Sequence, residues 1–158
     1  MEIRELRVHN HRPVAVHRAN PLAHCNVAPP NETRRMSAPY NKIFKLERDD
    51  EVLIVIPQGD ASGFRYQDVH HESNMTLEVL DDPTLRHVIV DIGSEHLLGS
   101  IMISVVIKIC RKIGTRGGKA ALCNANPDML EVLRTMNLER LWPYCPTRED
   151  ALTSVRAG

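Results

Sequence analysis

The sequence has few aromatic residues and no excess of charge, and each shortage excludes a class of protein. Aromatic residues make up 4% of the 158 residues, which argues against a surface that stacks nucleic-acid bases. The 20 basic and 20 acidic side chains cancel, so no overall charge attracts the chain to nucleic acid or to an acidic membrane. No apolar run approaches the roughly 18–20 residues that a membrane-spanning helix needs.

Cysteine is scarce as well. The four cysteines, Cys25, Cys110, Cys123 and Cys145, form no C-x-x-C pair, which argues against a zinc ribbon or a disulfide framework. This pattern predicts a reducing compartment, and we expect the protein in the cytoplasm. We also expect no metal and no cofactor, because metal-ligand spacings and phosphate-binding glycine motifs are missing. The run His70-His71-Glu72 lacks the i, i+4 spacing of a metal pair, and we interpret it as a solvated helix face.

The first part of the chain differs in composition from the rest. Residues 1–35 hold six arginines, four of the eight histidines and no lysine, and they show no helical or strand periodicity. We therefore expect residues 1–41 to be a disordered extension. An alternative is a mis-started reading frame in which Met36 is the true start. The expected folded domain covers residues 42–156.

The folded part alternates strand and helix patterns in the order ββαβαβαβα. The predicted strands are 43–48, 51–57, 86–92, 119–124 and 141–144, and the predicted helices are 65–80, 100–113, 126–138 and 146–155. The first two strands form a hairpin, and the later ones are separated by helices, which is typical of parallel pairing. The sequence thus predicts a single α/β domain with a mostly parallel sheet covered by helices.

The helix that begins at Ser100 is unusually apolar. Its buried face is predicted from helical spacing and consists of Met102, Val105, Val106, Ile109 and Ile113. Flanking positions Ile101, Ile103 and Ile107 are apolar too. Either neighbouring elements cover them, or they stay partly exposed and bind another protein.

These segments resemble the STAS family, the fold of bacterial anti-sigma factor antagonists and of the cytoplasmic tails of sulfate transporters. The likeness covers about residues 43–156. It rests on VLIVIPQGD, on LRHVIVDIGSEHLLGS followed by the apolar helix, on RKIGTRGGKAALCNANPDMLEVLRTMNLERLW and on a final TREDAL helix.

The resemblance also implies a regulatory motif, which this chain only partly keeps. The family motif Asp-Ser-Ser-Gly begins the second helix, and its second Ser is phosphorylated by a partner serine kinase that is also the anti-sigma factor. On this chain the motif falls on Gly99, Ser100, Ile101 and Met102, so one position in four matches. Ser100 is a possible phosphoacceptor one position early, but we expect a protein without this switch.

The resemblance therefore implies a non-enzymatic anti-sigma factor antagonist. Its expected partner is an anti-sigma factor of the GHKL serine-kinase type, bound through the loop and helix at 94–108. The expected contact residues are Asp60, Leu97, Leu98, Gly99, Ser100, Ile101 and Ser104. Two alternatives stay open. One is a homo-oligomeric scaffold of the same fold, a homodimer included, and the other is a small-molecule sensor or hydrolase that uses Asp91, His96 and Ser100 at a strand edge.

Overall fold

The part of the chain that the structure describes forms a six-stranded sheet with helices on both faces. The computed structural model describes Arg34–Arg35 and residues 42–58, 63–93 and 97–157, which belong to one compact unit, Glu32–Gly158. The strands are β1 (Arg34–Arg35), β2 (Phe44–Asp49), β3 (Val52–Pro57), β4 (His87–Asp91), β5 (Ala120–Cys123) and β6 (Tyr144–Cys145). The helices are α1 (Tyr66–Val79), α2 (Ser100–Thr115), α3 (Pro127–Thr135) and α4 (Arg148–Arg156), with a 3₁₀ turn at Leu138–Arg140.

The strands lie in the sheet in their chain order, β1 to β6. The predicted hairpin of β2 and β3 is confirmed as an antiparallel pair, and β3, β4, β5 and β6 pair in parallel. Each parallel pair is joined through one helix, as parallel pairing requires. The predicted α/β fold is therefore confirmed.

Three details differ from the prediction. A two-residue strand, β1, pairs antiparallel with β2 inside the segment expected to be disordered. Helix α3 ends at Thr135 because Asn137 adopts a left-handed conformation (φ 56°) that a helix cannot contain. The backbone N–H groups of Leu141 and Trp142 then donate to Leu138 O, so the last strand begins at Tyr144 and not at residue 141.

The two faces of the sheet bury different side chains. Alternate residues of β3 point to opposite faces, so that Leu53 and Val55 pack with α1, α2 and α3, whereas Val52 and Ile54 pack with α4. The first face carries the larger apolar cluster. Asp91, at the end of β4, follows Val90 and therefore points to the α4 face.

Helix α2 contributes the predicted apolar stripe to the larger cluster. Met102, Val105, Val106, Ile109 and Ile113 are all buried, as the spacing predicted. Cys110 is buried too and acts as a small apolar side chain. Each such side chain stabilises the fold by roughly 1.5–3 kcal/mol when it is fully buried, so α2 is the central element of the core.

A tight turn joins the end of α2 to β5. Gly117 has a positive φ of 78°, and the N–H of Gly118 donates to Ile113 O at 3.0 Å, which caps the last turn of the helix. A Cβ on Gly118 would collide with the carbonyl oxygen of Arg86 and lie 3.0 Å from Cγ2 of Ile113. Glycine is therefore required at this position by the close approach of the two backbones.

The carboxylate of Glu72 has a structural role that the sequence did not indicate. Glu72 is buried on α1 and accepts backbone N–H groups from Lys42 at 3.0 Å, Ile43 at 2.8 Å and Phe44 at 3.2 Å. Our interpretation of this residue as part of a solvated face was wrong. The carboxylate satisfies three backbone donors at the start of β2, two of them buried, and ties that strand to α1.

Candidate functional site

The amino-terminal end of α2 lies at the protein surface. Gly99 precedes the helix in an extended conformation and provides no side-chain cap. Ser100 is the first helical residue and is exposed. One turn later the hydroxyl of Ser104 donates to Ser100 O at 2.9 Å, so it is used within the helix. The predicted helix start at Ser100 is confirmed.

Two large apolar side chains are exposed at this end of the domain. Leu97 is 55% exposed and Ile101 is 40% exposed. Ile101 lies on the rim of the buried stripe of α2, and Leu97 lies in the segment that leads into the helix. We treat these two side chains, four residues apart in the chain, as one exposed apolar surface.

Not all of the predicted contact residues share this surface. Leu98 and Ile103 are buried, with 4% and 6% of their surface exposed. Ile103 was not an expected contact, and it belongs to the core cluster between the sheet and the helices. Of the two alternatives left open for it, the structure supports coverage by neighbouring elements. The structure therefore leaves Leu97, Gly99, Ser100, Ile101 and Ser104 exposed, which we call the α2 amino-terminal surface.

A groove between α1 and α2 continues this surface. It has a volume of about 400 Å³, and Tyr66, His70, Ile101, Ser104 and Lys108 are among its lining residues. The rings of Tyr66 and His70 contact each other edge to face, with centroids 4.4 Å apart. We predicted no site at Tyr66, and we interpreted His70 as part of a solvated helix face. Their i, i+4 spacing at the start of a helix was the available signal.

Of the candidate acid–base set, the two described members, Asp91 and Ser100, are not brought together. Both carboxylate oxygens of Asp91 are occupied: Oδ1 accepts from Asn124 at 2.9 Å, and Oδ2 accepts from Arg148 at 2.6 and 2.9 Å. Asp91 points to the α4 face, whereas Ser100 begins a helix on the other face. His96 and Asp60 lie outside the described residues.

Arg148 joins Asp91 to a second carboxylate. Its Nη1 donates to Glu47 Oε2 at 2.9 Å, and Lys45 Nζ lies 2.7 Å from Glu47 Oε1. The hydrogen bond from Lys45 lowers the pKa of Glu47, burial opposes this shift, and the charge of Arg148 supports it. We interpret this cluster as a structural link between the sheet and α4, because each carboxylate has its cation.

The described residues contain no group of three or more His, Cys, Asp or Glu side chains placed to hold a metal ion. Within the same part of the chain, Cys110, Cys123 and Cys145 are free and buried. Cys25 lies outside it. None of the helices described is both long and apolar enough to cross a bilayer.

Comparison with known proteins identifies the family of this chain. The sequence model of the STAS domain matches residues 44–151, more than half of the chain, and the chain belongs to that family. The family resemblance inferred from the sequence is thus confirmed.

Individual relatives are anti-sigma factor antagonists. The chain is 24% identical over 119 residues to the anti-sigma F factor antagonist of Paenibacillus polymyxa, an alignment that covers 73% of this chain and 96% of the relative. The crystal structure of an anti-sigma factor antagonist from Mycobacterium paratuberculosis superimposes with a TM-score of 0.60 at 23% identity, covering 77% of this chain and 99% of that one. The unphosphorylated antagonist SpoIIAA, from Bacillus, gives a TM-score of 0.59 at 18% identity, covering 73% and 97%.

Proposed function

We propose that this protein is a bacterial anti-sigma factor antagonist that acts by binding and carries out no reaction itself. Its proposed partner is an anti-sigma factor of the GHKL serine-kinase type, and its proposed location is the cytoplasm. The proposed functional unit is the STAS domain at residues 42–156. The observation that supports this proposal most directly is the exposure of Ile101 and Leu97 on the α2 amino-terminal surface.

Exposed apolar side chains of this size favour a protein partner. Water contact with Leu97 and Ile101 has a free-energy cost that a protein interface removes, at roughly 25 cal/mol for each Å² of apolar area buried. Ser100 and Ser104 beside them are small and polar, which suits the rim of such an interface. Asp60 and Leu98 were also expected contacts. Asp60 keeps that role in the proposal. Leu98 is buried in the core and is therefore not proposed as a direct contact.

The proposed antagonist works without the usual phosphoserine switch. The family's phosphoacceptor position holds Ile101, which has no hydroxyl group, and the neighbouring Met102 is fully buried. An apolar side chain at the phosphoacceptor position keeps the contact surface permanently neutral. We therefore infer that the bound fraction depends on the concentrations of the two proteins and not on phosphorylation.

The test is affinity capture with the full chain from the native lysate, with proteins identified by mass spectrometry and phosphosites mapped. We expect an anti-sigma factor of the GHKL type to be recovered and Ser100 to carry no phosphate. Ile101→Asp should reduce its recovery roughly tenfold or more, because it places a charge in an apolar contact.

Leu141→Asp is the matched control, since Leu141 is 58% exposed, follows the 3₁₀ turn and is not part of the α2 amino-terminal surface. Both variants should keep the circular dichroism spectrum of the parent. Equal loss of the partner with the two variants, or recovery of no anti-sigma factor, would contradict the proposal. Phosphate on Ser100 would contradict only the proposal that the phosphoserine switch is missing.

A further inference from the structure

Helix α2 carries two kinds of cationic side chain. Lys112 and Arg116 are bound to α1: Lys112 Nζ lies 2.7 Å from Asp81 Oδ1 and donates to Leu77 O at 2.6 Å, and Arg116 donates to Leu80 O and Asp82 O. Lys108 and Arg111 are exposed and form no ion pair with any residue in the described ranges. The second pair is therefore available to an external anion.

These two cations extend the apolar surface of α2. On a helix of 3.6 residues per turn, Ile101, Lys108 and Arg111 fall within one exposed face about 80° wide. Lys108 lines the groove between α1 and α2 together with Ile101, and the lining residues of that groove include no carboxylate. The face is thus apolar at its amino-terminal end and positive at its carboxyl-terminal end.

Helix α3 presents the opposite arrangement. Asp128 and Glu131 are exposed and have no ion pair among the residues that the structure describes, and they border a shallow groove of about 320 Å³. Met136, at the end of the helix, lines the same groove and is 45% exposed. This face is negative at its amino-terminal end and apolar at its carboxyl-terminal end.

The two faces match each other in an antiparallel arrangement. Lys108 and Arg111 are three residues apart, as are Asp128 and Glu131, which gives each pair a spacing of about 4.5 Å along its helix axis. An antiparallel pairing sets Arg111 opposite Asp128 and Lys108 opposite Glu131. Ile101 and Met136, at the apolar ends of the two faces, then lie at the same end of the paired helices.

From this complementarity we propose that a second copy of the chain docks its α3 face onto the α2 face of the first. The two faces are different surfaces of one molecule, so a single contact of this kind is heterologous. Repeated head to tail it builds chains of copies, whereas two copies that made both contacts at once would form a closed dimer. Because Ile101 is part of the α2 face, self-association and the proposed partner compete for the same side chain.

The test is sedimentation equilibrium of the full-length chain over about 10 µM to 1 mM at low and high salt. We expect the average mass to rise with concentration and the association constant to fall at least tenfold from 50 to 500 mM NaCl, since salt screens exposed charges. Lys108→Glu and Glu131→Lys should each weaken association at least tenfold, whereas Arg140→Glu, a reversal at an exposed cation outside both faces, should not.

The charge swap decides between this contact and any other. The Lys108→Glu/Glu131→Lys double variant should regain association to within about threefold of the parent, because its two faces are complementary again. An equimolar mixture of the two single variants should also associate. A chain that stays monomeric up to 1 mM would overturn the proposal, as would association that neither single substitution weakens or that the double variant fails to restore.

Discussion

The two ends of α2 differ in what their polar side chains contact. At the carboxyl-terminal end, Lys112 donates to a carbonyl oxygen of α1 and Arg116 to that of Leu80, the residue after α1. The following turn packs against the backbone at Arg86. Nearer the amino-terminal end, Ile101 is exposed, and Lys108, in the middle of the helix, has no ion pair in the described part of the chain. One end of the helix is fixed in the fold, and the other end carries the proposed contact surface. The fold and the proposed contact surface therefore depend on separate residues of a single helix.

The largest change in stability is expected at the carboxyl-terminal end of α2, which is fixed in the fold. Gly118→Ala should destabilise the domain by about 3 kcal/mol, because its Cβ would collide with the carbonyl oxygen of Arg86. Gly114→Ala is the control: nothing lies within 4 Å of its Cβ, and alanine should stabilise the helix by about 0.5–1 kcal/mol. Urea denaturation of both variants measures the two effects, and equal stability of the variants would disprove the close approach.

A second fixed point lies on the α4 face, where Glu47 is held by Lys45 and Arg148. The pKa of Glu47 in the folded protein lies below its ordinary value of 4.5, so the ionised carboxylate stabilises the fold above about pH 4.5. That contribution disappears as the pH falls through the lowered pKa. Glu47→Gln should therefore cost about 1.5 kcal/mol at pH 7 and make the loss of stability between pH 5 and 3 shallower.

Urea denaturation at a series of pH values checks this expectation. Glu78→Gln makes the same change of net charge at an exposed carboxylate that has no ion pair among the described residues, and it is the control. If Glu47→Gln lost stability in acid as steeply as the parent, the pairing would have no energetic role.

The smallest effect compares the two kinds of lysine on α2. Lys112→Met should destabilise the domain by about 1 kcal/mol, because Leu77 O and Asp81 lose their donor. Lys108→Met should change stability by less than about 0.5 kcal/mol, since its ammonium group has no ion pair among the described residues. Thermal melts of the two variants provide the comparison, and a larger loss with Lys108→Met would reverse our assignment of the two ends.

Much of the fold could be predicted because hydrophobic spacing reports which side chains are buried. The stripe from Met102 to Ile113 is such a local pattern. The helix caps are local too: the side chains of Asn126 and Thr147 accept the backbone N–H groups of Met129 and Asp150. The burial of Glu72 could not be predicted, since its three donors lie about 30 residues earlier in the chain.

The candidate site was only partly predictable for a related reason. Ile101 and Ile103 have the same chemistry and lie two residues apart, and only the position of the sheet decides that Ile101 is exposed and Ile103 buried. Tyr66 and His70 join the site because α1 packs beside α2, which no single-helix pattern reports. The cluster around Arg148 likewise joins residues 57 and 101 positions apart.

The buried thiols make the core measurable from within. Burial raises the pKa of Cys110 and of Cys123 to about 12, and it raises that of Cys145 as well. A thiol reagent reacts with the thiolate, so these three positions are modified at neutral pH only after the chain around them opens. In a Cys25→Ser background, the labelling rates of the cysteines in α2, β5 and β6 would report how fast three separate parts of one domain open. Their agreement or divergence would tell whether the helix that displays Ile101 opens together with the sheet or ahead of it.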